Sequence, residues 1–391
     1  MPRRFAMQVA AAVLLALFVA GCDATVVPAD PSPTPAVTAS ASTTPSPTTQ
    51  PTPTPDRRPL TVHFIDVAQG DATLLQGPGF NILIDAGRHD RSDVVPYLQS
   101  TGITSIDLLV GTHGHADHIG QFPQVLETFP VSEVWLSGEI PLTRTFERAI
   151  DAITASDAGY HEPQAGEVFE FGSARVEVVN PDQLSGDAHK SSVSLRIIYG
   201  EVAFMFTGDA ETETEHAMIE RGHDLRSHVL QAGHHGSRTS SSTEFLEAVQ
   251  PEVTIYSAAE GNSYGHPHPE AVIRMAEAGT EIYGTNGHGT ILVITDGTTY
   301  EVHAERSFTV PVPTPMPTSS IAATGCSDGQ VDINTASPEE LTDIIHIGED
   351  GAEQLVEIRP FETLDELLQI SGIGPARLDD IRSEGLACIA D

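Results

Sequence analysis

The chain predicts a layered α/β fold, with sheets inside and helices outside, followed by a small all-helical domain. Three observations carry that expectation. Short apolar segments of strand character recur between residues 60 and 296, and helical stretches such as "TEFLEAVQ" and "PEAVIRMAEAG" fall between pairs of them. Beyond a proline-rich stretch near residue 310, the apolar spacing changes to that of helices. Residues of metal-ligand type also gather where apolar runs end, most densely in "THGHADHIG".

The chain begins with Arg3 and Arg4, then the apolar run "VAAAVLLALFVA" (9–20), too short to span a bilayer comfortably. It ends in "VAGC", which resembles a lipobox. Residues 1–22 are therefore expected to be a lipoprotein signal peptide, with Cys22 lipidated and the bulk of the chain held outside the cytoplasm on the cell membrane. An ordinary signal peptide or a short membrane anchor is the alternative. Residues 23–59 are rich in Pro, Thr and Ser with almost no large apolar side chain, and cannot bury enough to fold. A large domain is expected at 60–306, a second proline-rich linker at 307–325 and the small domain at 326–391. With 55 acidic and 19 basic residues the formal net charge is -36. That balance argues against the basic patch by which proteins usually hold nucleic acid.

Within the large domain the strand-like segments are "LTVHFIDV", "ATLLQ", "FNILIDAG", "IDLLVGTH", "EVWLS", "ARVEVVN", "SVSLRIIYG", "VAFMFTGD", "HVLQAG", "EVTIYS" and "GTILVITD". Several end on an ionisable residue. Divalent metals bind neutral imidazole and carboxylate. In the H-x-H-x-D-H cluster, His113 and His115 suit one ion, and Asp117 and His118 a second. Asp209 in "FMFTGDAE" and the pair His234 and His235 in "LQAGHHGSRTS" are further candidates at strand ends.

"FIDVAQGDATLL", "ILIDAG", "THGHADHIG", "FTGDAE", "AGHHGSRTS" and "YGHPHPE", in that order, resemble the metallo-β-lactamase superfold. More narrowly they are similar to the soluble hydrolase domain of the competence protein ComEC and its secreted relatives. The resemblance implies an αββα sandwich with two divalent ions, Zn or Mn, at one edge. It puts His113 and His115 on the first ion, Asp117, His118 and His235 on the second, and Asp209 between them. His189 in "DAHKSSVSL" stands where the first ion's third histidine is expected, although many relatives carry asparagine there; the alternative is a surface-loop histidine. Asp117 and His234 are the catalytic candidates, His234 as a phosphate-binding or proton-transfer group. The resemblance makes Asp85 an orienter of a metal-binding histidine, with Asp66 and Asp71 buttressing the site. His266 and His268 either touch substrate phosphate or shape a loop.

The small domain, "INTASPEELTDIIHIGEDGAEQLVEIRPFETLDELLQISGIGPARLDDI", reads as helices, with Asn334 or Thr335 expected to cap the first. It resembles the tandem helix-hairpin-helix motifs of the DNA receptor ComEA. Gly372, Ile373, Gly374 and Arg377 in "SGIGPAR" would bind a DNA phosphate at a helix start. Charge speaks against tight binding: residues 326–391 carry three arginines and sixteen acids. Cys326 and Cys388 flank the domain, and in an exported chain they are expected to form a disulfide.

These features lead to an extracytoplasmic metal-dependent phosphodiesterase, with DNA as the expected substrate and partner, and the membrane as a second partner through the lipid on Cys22. A cell-envelope phosphoester, such as a phosphorylcholine ester, is the rival substrate. A non-catalytic DNA- or protein-binding lipoprotein is the rival class. Oligomeric state is left open.

Overall fold

The computed structural model describes residues 58–313, 326, 330–361, 363–370 and 372–389. The expected signal peptide at 1–22 with Cys22, nearly all of the 23–59 linker and most of the 307–325 linker lie outside the described residues. Among the described residues no helix is long and apolar enough to cross a membrane.

Two sheets form the large domain. The eight-stranded sheet runs, edge to edge, through Tyr300–Ala304, Ile291–Thr295, Leu60–Phe64, Thr73–Gly77, Phe80–Ile84, Ile106–Gly111, Val131–Leu136 and Gly159–His161. The seven-stranded sheet runs through Glu281–Gly284, Val253–Tyr256, Val229–Gln231, Val202–Phe206, Ser194–Tyr199, Ala174–Asn180 and Val168–Phe171. Side chains alternate across each strand, so both faces need cover. Phe80, Ile82 and Ile84 point into the space between the sheets and meet Phe204 and Phe206 from the other side, in a core that also holds Leu195, Ile197 and Ile255. Leu83 points outward, onto Val94, Leu98, Phe122 and Ile153 of the helices Val94–Ser100, Phe122–Thr128 and Arg144–Ala155. Met205 likewise faces Met218, Phe245 and Met275 of Thr212–Glu220, Thr243–Val249 and Pro269–Glu277. The layers are therefore α, β, β, α. Burial on both faces explains why the inner strands read as continuous apolar runs.

In the large domain the sequence misses four strands, Gly159–His161, Val168–Phe171, Glu281–Gly284 and Tyr300–Ala304. They are the four sheet edges. Half-exposed strands lack the apolar signal that marks inner ones. In the small domain, expected to be all helical, the sequence misses the short parallel pair Val331–Asp332 and Ala387–Cys388.

The small domain packs Ile333, Leu341, Ile344, Leu355, Leu367, Ile373, Leu378 and Ile381 into its own core. Its first helix, Pro338–Leu341, is capped by Ser337 rather than by Asn334 or Thr335. Ser337 Oγ accepts from the Glu340 N–H, and Glu340 Oε2 accepts from the Ser337 N–H at 2.7 Å, a reciprocal capping box. Asn334 instead bonds both backbone groups of Phe361. Cys326 and Cys388 form the disulfide, with Cα atoms 5.6 Å apart.

Candidate metal centre

Four strands deliver the site from their carboxyl ends. Asp85 follows Phe80–Ile84 and Thr112–His113 follow Ile106–Gly111, two parallel neighbours. Asp209 follows Val202–Phe206, and His234–His235 follow Val229–Gln231, parallel neighbours of the second sheet. Parallel neighbours open their carboxyl-end loops on one side, where ligands of open α/β sheets bind.

Asp209 is the meeting point. His113, His115, His189 and Asp209 place one ligand atom each within 4.8 Å of one another, and so do Asp71, His118, Asp209 and His235. His118 Nε2 lies 3.3 Å from Asp209 Oδ1, while His113 Nε2 and His235 Nε2 lie 3.6 and 3.7 Å from Oδ2. The other ring nitrogens are spoken for. His118 Nδ1 bonds Asp85 Oδ2 at 2.8 Å, and Asp85 also accepts from the Thr112 N–H and hydroxyl, each at 2.8 Å. His235 Nδ1 donates to the Ser257 carbonyl at 3.0 Å. Both bonds turn Nε2 toward Asp209. Asp85, His234 and His235 hold left-handed backbones, with φ of 58°, 48° and 57°. Such strain persists where surrounding contacts over-determine it. Gly208 lets the aspartate loop approach: a Cβ there would stand 2.4 Å from Ser192 Oγ and 2.7 Å from Thr112 Cβ.

The chemistry of these atoms asks for cations. His113, His118 and His235 Nε2, Asp209 Oδ1 and both Asp71 carboxylate oxygens are buried without a hydrogen-bond partner. Buried polar atoms are rarely left so, unless an ion satisfies them. Burial would push His118 and His235 down, but Asp209 and Asp85 hold His118 well above its ordinary value, and Asp209 and Asp71 raise His235 to about 9. Burial would raise Asp209, yet His118, His235 and His113 hold it far below the carboxylate range. Burial, reinforced by His118, keeps His113 neutral. A cluster that draws protons onto buried imidazoles is one that demands positive charge, and metal binding releases such protons. The residues fit a divalent metal.

The remaining candidates divide. His189 joins the first group, its ring 5.5 Å from that of His113 and 4.9 Å from that of His115. Asp117 approaches His235 Nε2 at 3.4 Å. His235 and His118 hold its carboxyl below the usual range against the effect of burial. Asp71, expected only to buttress, stands inside the second group. Gly70 makes this close approach possible, since a Cβ there would sit 2.4 Å from the Asp117 carbonyl, which accepts from the Asp71 N–H. Asp66 does not buttress the cluster: its carboxylate bonds the Ala68 N–H and Arg306 instead. His234 bonds Glu211 through Nδ1 at 3.2 Å and turns Nε2 to within 3.8 Å of Asp209 Oδ2. Glu211 and Thr112 join the site without a motif of their own; the only signal is position, two residues past Asp209 and just before His113. The His266 ring stands 5.5 Å from that of His234. His268 Nδ1 accepts from the Arg238 N–H, so it shapes the loop.

In the small domain Gly372 has φ 88° and Gly374 caps the helix Pro375–Glu384. The Ile373 side chain is core, which leaves only its backbone to meet a ligand. Arg377 donates to the Gly372 carbonyl, Arg359 to the Ile333 and Ala336 carbonyls, and Arg382 pairs with Asp365. All three arginines have internal partners.

A two-sheet sandwich with histidines and a shared aspartate at one edge defines a metal-dependent hydrolase. Residues 65–260, half the chain, match the metallo-beta-lactamase superfamily, and residues 327–384 match the helix-hairpin-helix motif. The chain belongs to the metallo-beta-lactamase superfamily, whose fold binds divalent metals. Among similar proteins, ComE operon protein 3 of Bacillus subtilis (strain 168) is 27% identical, covering 59% of this chain and 32% of that protein. Competence protein ComA of Neisseria gonorrhoeae is 30% identical, covering 58% and 31%. The chain thus spans about a third of the length of these two relatives. A deoxyribonuclease of Thioalkalivibrio sp. (strain K90mix) is 46% identical over 61 residues, 16% of this chain and 17% of that protein.

Proposed function

We propose that the chain is an extracytoplasmic, lipid-anchored phosphodiesterase that hydrolyses DNA with two divalent ions, Zn or Mn. The observation that carries this reading is the pair of ligand groups meeting at Asp209. His113, His115, His189 and Asp209 would hold one ion; His118, His235 and Asp209, with Asp71 or Asp117, would hold the other. Bound there, divalent ions supply Lewis-acid polarisation of the phosphoryl group and acidify a water. The protein's own part is orientation. Asp85 and the Ser257 carbonyl fix the tautomers of His118 and His235. Glu211 fixes His234, whose Nε2 would hold the proton that the leaving oxygen takes. The similarity to two competence proteins and a deoxyribonuclease supports DNA as the substrate.

One observation favours a different substrate. The three arginines of the helix-hairpin-helix domain are engaged internally, so any grip on DNA rests on the backbone of its hairpin turn and would be weak. The test is a substrate competition: the purified full chain, loaded with Mn²⁺, is given single-stranded DNA, duplex DNA and p-nitrophenyl phosphorylcholine. Faster DNA cleavage supports the reading. Hydrolysis of the choline ester alone replaces it with an envelope phosphoesterase.

A further inference from the structure

Beside the metal centre lies a cavity of ≈ 400 Å³ whose lining includes Gln69, Arg88, Asn262 and Tyr264. Both walls lead to the ligands. Gln69 stands two residues before Asp71 in the chain. Tyr264 stacks on His266, ring centroids 5.7 Å apart and planes at 22°, and His266 in turn lies 5.9 Å from the His235 ring.

Two features of this cavity are only partly used by the fold. Tyr264 is 63% exposed, so its ring does little core packing. Yet its loop is fixed: Asn262 Oδ1 accepts from the Tyr264 and His266 N–H groups, and its Nδ2 donates to the Ala259 and His266 carbonyls. An exposed aromatic ring on a rigid loop is a stacking surface with one face already occupied by His266. The second feature is Gln69, which is 4% exposed. Its Oε1 accepts from the Ala259 N–H, while its Nε2 is buried without a hydrogen-bond partner. Gln69 lines the cavity, and a turn of its amide would bring this unpaired donor to an acceptor on a ligand. The two lining arginines are already paired, Arg88 with Asp90 at 2.7 Å and Arg91 with Asp93 at 2.5 Å, so the cavity offers a strand its stacking surface rather than free positive charge.

We propose that this cavity is a nucleobase subsite: one base of a single-stranded substrate stacks on Tyr264 and accepts a hydrogen bond from Gln69, which positions the neighbouring phosphodiester at the metal centre. The inference rests on the DNA-hydrolase reading and narrows it. A base paired in a duplex must first leave its stack, at a cost in free energy, so the subsite favours single strands or frayed ends.

The test uses the full chain as wild type, Tyr264→Ala and Tyr264→Phe. Each is assayed on a single-stranded oligonucleotide and on the same strand carrying abasic positions. Loss of one stacked base corresponds to about a 5- to 150-fold change. Tyr264→Ala is expected to raise KM on the intact strand by that factor, with the loss in KM rather than kcat. Tyr264→Phe should restore it, and abasic strands should weaken wild type by the same factor without a further penalty from Tyr264→Ala. A wild type that cleaves single strands but treats intact and abasic strands alike overturns the subsite, as does an alanine penalty equal on both. A wild type that cuts no DNA overturns the parent reading instead, a distinct result.

Discussion

Replacing Asp85 by asparagine is a sharp perturbation, because one buried carboxylate performs three tasks. Its Oδ1 accepts from the Thr112 N–H, and its Oδ2 faces both the Thr112 hydroxyl and His118 Nδ1. An asparagine can place its amide group in only two ways. Set toward Thr112 N, the NH₂ opposes a backbone donor; set toward His118, it demands an unprotonated Nδ1 and so protonates the Nε2 that faces Asp209. The first placement strands a buried donor, at a cost of about 1–3 kcal/mol to the metal-free protein; the second leaves Asp209 to accept from Nε2–H but takes the Nε2 lone pair away from a metal. Losing a partner that orients a ligand lowers metal affinity about 10- to 100-fold, or about 1.4–2.8 kcal/mol. Competition with a fluorescent chelator measures the affinity, and denaturant unfolding of the metal-free forms measures the stability. An Asp85→Asn variant that binds metal as tightly as wild type would refute the argument that Asp85 sets the tautomer of His118.

Other consequences follow from parts of the chain remote from the centre. The Cys326–Cys388 bridge closes a sequence separation of 62, which by loop entropy corresponds to about 4 kcal/mol at 25 °C. The doubly serine-substituted chain should lose amide-exchange protection across residues 330–389 while the strands of the large domain keep theirs. His63 is buried in the strand Leu60–Phe64 and bonds the Tyr97 hydroxyl; burial pushes its pKa down to about 4. The unfolded chain takes up this proton below about pH 6.5 and the native chain does not, so stability is lost as pH falls from there toward about 4. From about pH 7 to about pH 4.5 this amounts to about 2 kcal/mol, and His63→Leu should lose that much less over the same interval. Chelation should lower the stability of the large domain by about 2.7 kcal/mol for each ion whose site was held at a hundred times its dissociation constant; unchanged unfolding in chelator would show that the buried ligands need no ion.

Much of this was legible in the sequence, for physical reasons. The inner strands are buried on both faces and read as unbroken apolar runs. The imidazoles and carboxylates stand at their ends because parallel strands open their loops together. Edge strands such as Val168–Phe171 escaped because exposure erases that pattern. The expected cap falls two or three residues before Ser337 because the Asn334 side chain is taken by Phe361 and the Thr335 hydroxyl by Asp332. Less visible were roles set by long-range approach. Nothing local tells that Asp71 reaches His235, that Glu211 holds His234, or that the arginines of the small domain are consumed by carbonyls and a carboxylate. The exposure of Tyr264 belongs to the same class, since only the folded loop shows which face of the ring is left open.

The measurement that bears most directly on the account is metal content together with DNA cleavage for wild type and Asp209→Asn, side by side. Asp209 belongs to both ligand groups, so the account predicts two ions per wild-type chain, cleavage that chelator abolishes, and loss of both in the variant. A variant that still cuts DNA, or a metal-loaded wild type that never does, would contradict it.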